Sequence, residues 1–129
     1  MATNYINGEY IEALRDSSFR LTAERLVMNI GVRAYLKGFN CIADAVILYG
    51  TELCSRFCDI YDVIAEYRSV SHKSVMREIA YALSSEAEEI AKNLSAMTGA
   101  NITKLEVHSG LVIAYLGKLF RAPEAAVYG

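Results

Sequence analysis

Residues 60–83 read IYDVIAEYRSVSHKSVMREIAYAL. Ile60, Val63, Ile64 and Tyr67 recur at the spacing of one helical face, and Val75, Ile79, Ala82 and Leu83 do so again. Between them, Arg68-Ser69-Val70-Ser71 is a short polar break around one apolar residue, with Ser71 placed to cap the second helix. The pattern predicts a helix, a tight turn and a second helix over about 71–84. The small Ala65 lets the two helices approach closely, Val70 is positioned to plug the turn, and Val75 and Ile79 pin the second helix to the first. Lys73, Ser74, Arg77, Glu78 and Tyr81 are then expected on or near one outward face. A helix-turn-helix needs this layout, with an apolar underside for rigidity and a polar outer face for the DNA major groove.

Helical spacing continues on both sides. Ala23, Leu26, Val27 and Ile30 predict a helix capped by Thr22 and stopped by Gly31. Ile42, Ala45, Val46 and Tyr49 mark the next, and Ala43, Ile47 and Leu48 fill its other sides. That helix is therefore expected to be the buried centre, ending at Gly50. Leu53, Cys54, Phe57 and Cys58 fit a further helix. Past the motif, Ser84 or Ser85 is placed to cap a helix whose first turn holds Glu86, Glu88 and Glu89, and whose stripe is Ile90, Ala91, Leu94 and Met97. Residues 98–101 read as a loop, and a last helix from about Ser109 turns Val112, Tyr115, Leu116 and Leu119 inward until Pro123 closes it. Tyr5, Ile6, Tyr10, Ile11 and Leu14 outline a short N-terminal helix that docks on the body or on a second subunit. No strand pattern, repeat or low-complexity tract interrupts this. The expectation is one all-α domain over 1–129, a compact bundle of about six or seven helices. It divides into an N-terminal extension (1–20), the helix-turn-helix body (21–122) and a tail (123–129).

The bulk numbers agree with a single small domain. A chain of 129 residues with 53% apolar residues buries one real core and is not disordered. Three cysteines, an odd number, and no secretory leader pattern fit a reducing cytoplasm. The longest apolar stretch, 42–49, is short and holds Asp44, so no membrane span is expected. A net charge of −2 argues against a general polyanion binder. Positive balance is local instead: residues 68–83 carry Arg68, Lys73 and Arg77 against Glu78 alone.

The run Ile30-Gly31-Val32-Arg33-Ala34-Tyr35-Leu36-Lys37-Gly38-Phe39 is the most specific segment in the chain. It resembles the opening of the C-terminal DNA-binding domain of the stage zero sporulation protein A family, the response regulators that start endospore formation. That family shows an IGVPAHIKGY-like segment here, followed by an alanine-rich helix matched by Ile42-Ala43-Asp44-Ala45-Val46. Ile60-Tyr61, Ile64-Ala65, Val75, Arg77 and Ile79 then match its helix-turn-helix without a gap, and His108 to Phe120 looks like its last helix. The likeness covers roughly residues 21–122, with 84–105 poorly matched. It implies an all-helical domain whose second motif helix lies in the major groove, bound in tandem or as a dimer at promoters. The departures fall on the outer face. Ser74, Ala80 and Tyr81 stand where the family tends to have arginine or histidine, Arg33 replaces the family's proline, and residues 1–59 do not read as a phosphoacceptor receiver domain, so regulation by another route than receiver phosphorylation is expected.

These readings give a sequence-specific, DNA-binding transcription regulator of the sporulation type as the expected function. Its candidate DNA contacts are Arg68, Ser71, His72, Lys73, Ser74, Arg77, Tyr81 and Lys37. Arg77 is a candidate for a phosphate or guanine edge, and Lys73 sits at the helix start, a common phosphate-contacting place. Ser71 is a cap first and a backbone contact second. The expected partners are double-stranded DNA and a second copy of the chain. The alternative is a protein-interaction module of the same fold, with weakened DNA binding and a relative of the same family as partner. The thin basic face and nine tyrosines motivate it. Cys54 and Cys58, four residues apart, lack further metal ligands beyond His72 and His108 and read as small buried hydrophobes. With no glycine-rich phosphate loop and no oriented nucleophile, neither an enzyme nor a cofactor is expected.

Overall fold

In a computed structural model, residues 8–122 are described; the Tyr5-Ile6 part of the N-terminal helix and the closing role of Pro123 lie outside them. Among the described residues there are seven α-helices, one 3-10 turn and no strand. The helices are α1 (Gly8–Arg15), α2 (Ser17–Asn29), α3 (Lys37–Gly50), α4 (Phe57–Arg68), α5 (His72–Ser84), α6 (Ala87–Thr98) and α7 (Ser109–Arg121), with the 3-10 turn at Lys104–Glu106. The all-α bundle expected from the sequence is what forms.

α3 is the centre. Past its first turn it is apolar on nearly all sides, so it can be stable only when surrounded. Its residues from Cys41 to Leu48 are all buried, and α1, α2, α4, α5 and α7 pack around it. Two close approaches set this packing. A Cβ on Gly50 would stand 2.5 Å from the Phe120 ring, and one on Gly38 would stand 2.2 Å from the carbonyl oxygen of Glu78. Both are far inside contact distance, so α3 meets α7 at one end and the backbone of α5 at the other only because side chains are missing there.

Several local expectations are corrected. Asp16, not Thr22, caps α2: its carboxylate accepts from the Phe19 amide at 2.9 Å, so α2 starts six residues earlier and runs through the boundary expected after residue 20. Residues 51–56 are a turn rather than a helix, and α4 begins at Phe57. Cys54 is buried in that turn, while Cys58 in the first turn of α4 is exposed, so the two thiols do not share a buried helical face. Ser84 and Ser85 do not cap α6. Their hydroxyls donate back to the carbonyls of Tyr81 and Ala82, closing α5, and Glu86 holds the cap position of α6. Gly31, at φ +102°, ends α2 as expected, and His108 caps α7 by accepting from the Leu111 amide. No helix of the described residues is long and apolar enough to cross a membrane.

Candidate nucleic-acid interface

α4 and α5 are joined by three residues, 69–71. The turn closes α4 with paired hydrogen bonds, from the Ser69 amide to the Glu66 carbonyl (3.3 Å) and from the Val70 amide to the Ala65 carbonyl (2.9 Å). This closure requires a left-handed residue, and Ser69 adopts it at φ 58°, ψ 45°, where glycine is usual. Val70 does not plug the turn; it is 47% exposed because the paired closure turns it outward. Ser71 then caps α5, its hydroxyl accepting from the Ser74 amide at 3.0 Å. Val75, Ile79, Ala82 and Leu83 are buried to within 1% and hold α5 on α3 and α4. Each fully buried aliphatic chain contributes about 1.5–3 kcal/mol to that docking.

The free face of α5 is therefore determined. Lys73, Met76, Arg77, Ala80, Tyr81 and Ser84 are exposed and succeed one another at steps of three and one, forming a continuous stripe. No acid stands on it. Met76 joins this face at 49% exposure, although its apolar character gives no sequence signal for the outside. Tyr81 is 59% exposed. Arg77 reaches back along the helix, its guanidinium 3.4 Å from the Ser74 hydroxyl.

Ser74 and Glu78, expected on the outward face, are half-buried toward α3. With Lys37, Asn40 and Arg68 they border a groove of about 310 Å3, whose buried members are Cys41 and Val75. The groove exists because Gly38 brings the first turn of α3 down onto α5. Lys37 is exposed at its edge.

Arg68 and His72 are held by acids that local sequence pattern does not assign to them. Asp44 is fully buried and is the only buried charged side chain among the described residues. Nε of Arg68 donates to its Oδ2 and Nη2 to its Oδ1 (3.0 Å), while Nη2 of Arg20 donates to Oδ1 (2.8 Å) and also to the Leu14 carbonyl. The Asp44 hydrogen bond, ahead of the cost of burial, holds the Arg68 guanidinium above its ordinary pKa. His72 places Nδ1 against Asp62 Oδ1 and its ring edge-on to Tyr61, tying the first residue of α5 to α4. A lone carboxylate in the buried, otherwise apolar run 41–48 demands a cation, so Asp44 carries a signal, though not the identity of its partners. Arg33, in the place of the family's proline, pairs with Glu86 at the start of α6. Among the described residues no group of three or more His, Cys, Asp or Glu is arranged to hold a metal ion.

Comparison with protein-family models, curated proteins and solved structures finds no match to this chain. The resemblance to the sporulation regulators rests on the residues quoted for it alone.

Proposed function

We propose that this chain is a sequence-specific DNA-binding transcription regulator of the sporulation-regulator type, with α5 as the helix that enters the major groove. The observation that carries the reading is the exposed stripe of α5. It holds two cations and no acid, on a helix pinned by four buried apolar residues and joined to α4 by a three-residue turn. Lys73, in the first turn, contacts backbone phosphate. Arg77, one turn further on, reads a base edge, where a bidentate arginine contributes about 1–3 kcal/mol of discrimination. Tyr81 extends the contact. Ser71 and His72 serve by fixing the start of α5, through its cap and the Asp62 contact. A pair of copies would set two α5 helices about 34 Å apart on a two-fold site.

Anisotropy titration of the chain against duplexes from the promoters of its own genome, at low salt, tests this. Binding is expected, with Arg77→Ala relaxing sequence preference and Lys73→Ala weakening all duplexes about equally. Absence of binding at low salt, or binding indifferent to both changes, contradicts it.

The second reading is a protein-interaction module. Met76, Ala80 and Tyr81 support it, since they give the middle of the same stripe an apolar surface, and exposed tyrosine and methionine favour protein interfaces. Capture of a helical partner, with Met76→Lys abolishing it and no duplex binding at low salt, would favour this reading over the first.

A further inference from the structure

The groove between α3 and α5 has an uneven lining. At one end lie Lys37 and Asn40, three residues apart in the first turn of α3, and the guanidinium of Arg68. Among the described residues neither Lys37 nor Asn40 has a side-chain hydrogen bond or ion pair. Arg68 is different: its guanidinium is gripped side-on by Asp44 through Nε and Nη2. One face rests over the Tyr67 ring, with Cζ 5.6 Å from the centroid. A guanidinium has five donors in a fixed plane. Asp44 uses two of them, and the side chain remains 32% exposed, so the outer edge is left open. Asp44 is itself held by Arg20, whose Nη2 donates to the same Oδ1 that Arg68 Nη2 reaches. An arginine fixed on one edge by a buried carboxylate and open on the other presents a planar fork pre-organised to bind two oxygens of an oxyanion such as phosphate.

We propose that this groove seats one phosphate group, held by Lys37, Asn40 and the outer edge of Arg68, and that Asp44 is the positioning residue that presents Arg68 to it. Glu78 on the α5 wall has no ion-pair partner among the described residues and opposes the anion, which weakens the seat. Only the source of the phosphate rests on the DNA reading: a backbone diester flanking the α5 contact, or free inorganic phosphate.

Two measurements separate these. The first is the salt dependence of duplex binding for the wild type, Lys37→Ala, Asp44→Asn and Glu78→Gln. Each lost phosphate contact lowers the slope of log K against log salt by about 0.9, and that loss is expected for Lys37→Ala and Asp44→Asn, with tighter binding for Glu78→Gln. The Asp44 variant is decisive, because removing an acid should tighten binding if charge alone matters, whereas loss of positioning weakens it. Far-UV circular dichroism checks the fold of each variant. Arg68→Lys, which keeps the charge but loses the side-on grip, takes the place of Asp44→Asn if that variant does not fold. The second is titration of the wild type with sodium phosphate, monitored by amide and Arg Nε resonances. Shifts at Lys37, Asn40 and Arg68 without any duplex binding would support the seat while refuting the DNA reading. Unchanged salt slopes in the Lys37 and Asp44 variants, together with no groove shift under phosphate, would overturn the seat even if DNA binds through α5.

Discussion

Gly38 of α3 faces the backbone of α5 so closely that a Cβ on it would lie 2.2 Å from the Glu78 carbonyl oxygen and 2.6 Å from the Ala82 Cβ. Neither neighbour is the free end of a flexible side chain, so Gly38→Ala must push the two helices apart. We expect a loss of about 1–3 kcal/mol, the usual cost of overpacking, read as a lower urea midpoint with an unchanged m-value. The same shift would move α5 relative to Lys37.

Ser69 occupies the left-handed region at φ 58° in the three-residue turn. A non-glycine residue there costs roughly 1–2 kcal/mol, part of which glycine returns through its freer unfolded chain. Ser69→Gly is therefore expected to stabilise the domain by about 1 kcal/mol, measured by urea unfolding. No gain would mean that the turn relaxes without strain.

Asp44 is fully buried and joins Arg20 of α2 to Arg68 of α4. In Asp44→Asn the paired contacts fall to one acceptor, and a buried donor or acceptor left unsatisfied costs about 1–3 kcal/mol. Thermal melting at neutral pH should show the drop. The partial exposure of both arginines keeps the loss below the unfolding of the whole domain.

Burial pushes the Cys41 thiol from its ordinary 9.0 up to about 11, with Asp44 adding to the effect. The folded value lies above the unfolded one, so the thiol's contribution to stability is complete below pH 9 and is lost as the pH rises toward 11. Urea midpoints between pH 8 and pH 11 should fall, and less steeply in Cys41→Ala. Because thiolate is the reactive form, exposed Cys58 should be alkylated first in the native protein, with buried Cys41 and Cys54 reacting only on unfolding.

The parts of this molecule that depend on local spacing can be read in the chain. Val75, Ile79, Ala82 and Leu83 define the underside of α5, and Ser71 is its cap, because both arise from helix geometry. Periodicity names the side opposite the core but not which helix flanks it. It therefore puts Ser74 and Glu78 outside, although both are half-buried in the groove they share with Lys37, Asn40 and Cys41 of α3. Leu53 and Cys54 fit a helical repeat for another reason: they lie in a turn that folds back on α3, where the Cys54 amide donates to the Leu48 carbonyl, and Cys54 is buried there. The acids that hold Arg68 and His72 are non-local: Asp44 is 24 residues from Arg68, and Asp62 is ten from His72. Local pattern carries no information about such pairings.

The central claim is that the free stripe of α5 is the DNA-contacting surface. Its most direct test is an amide NMR titration of the full chain with a short duplex selected from random sequence at low salt. The account predicts shifts concentrated at Lys73, Met76, Arg77, Ala80 and Tyr81, and lost in a Lys73→Ala, Arg77→Ala double variant. Binding that instead shifts the start of α6 and the 104–106 turn, or no shift anywhere at low salt, would contradict it.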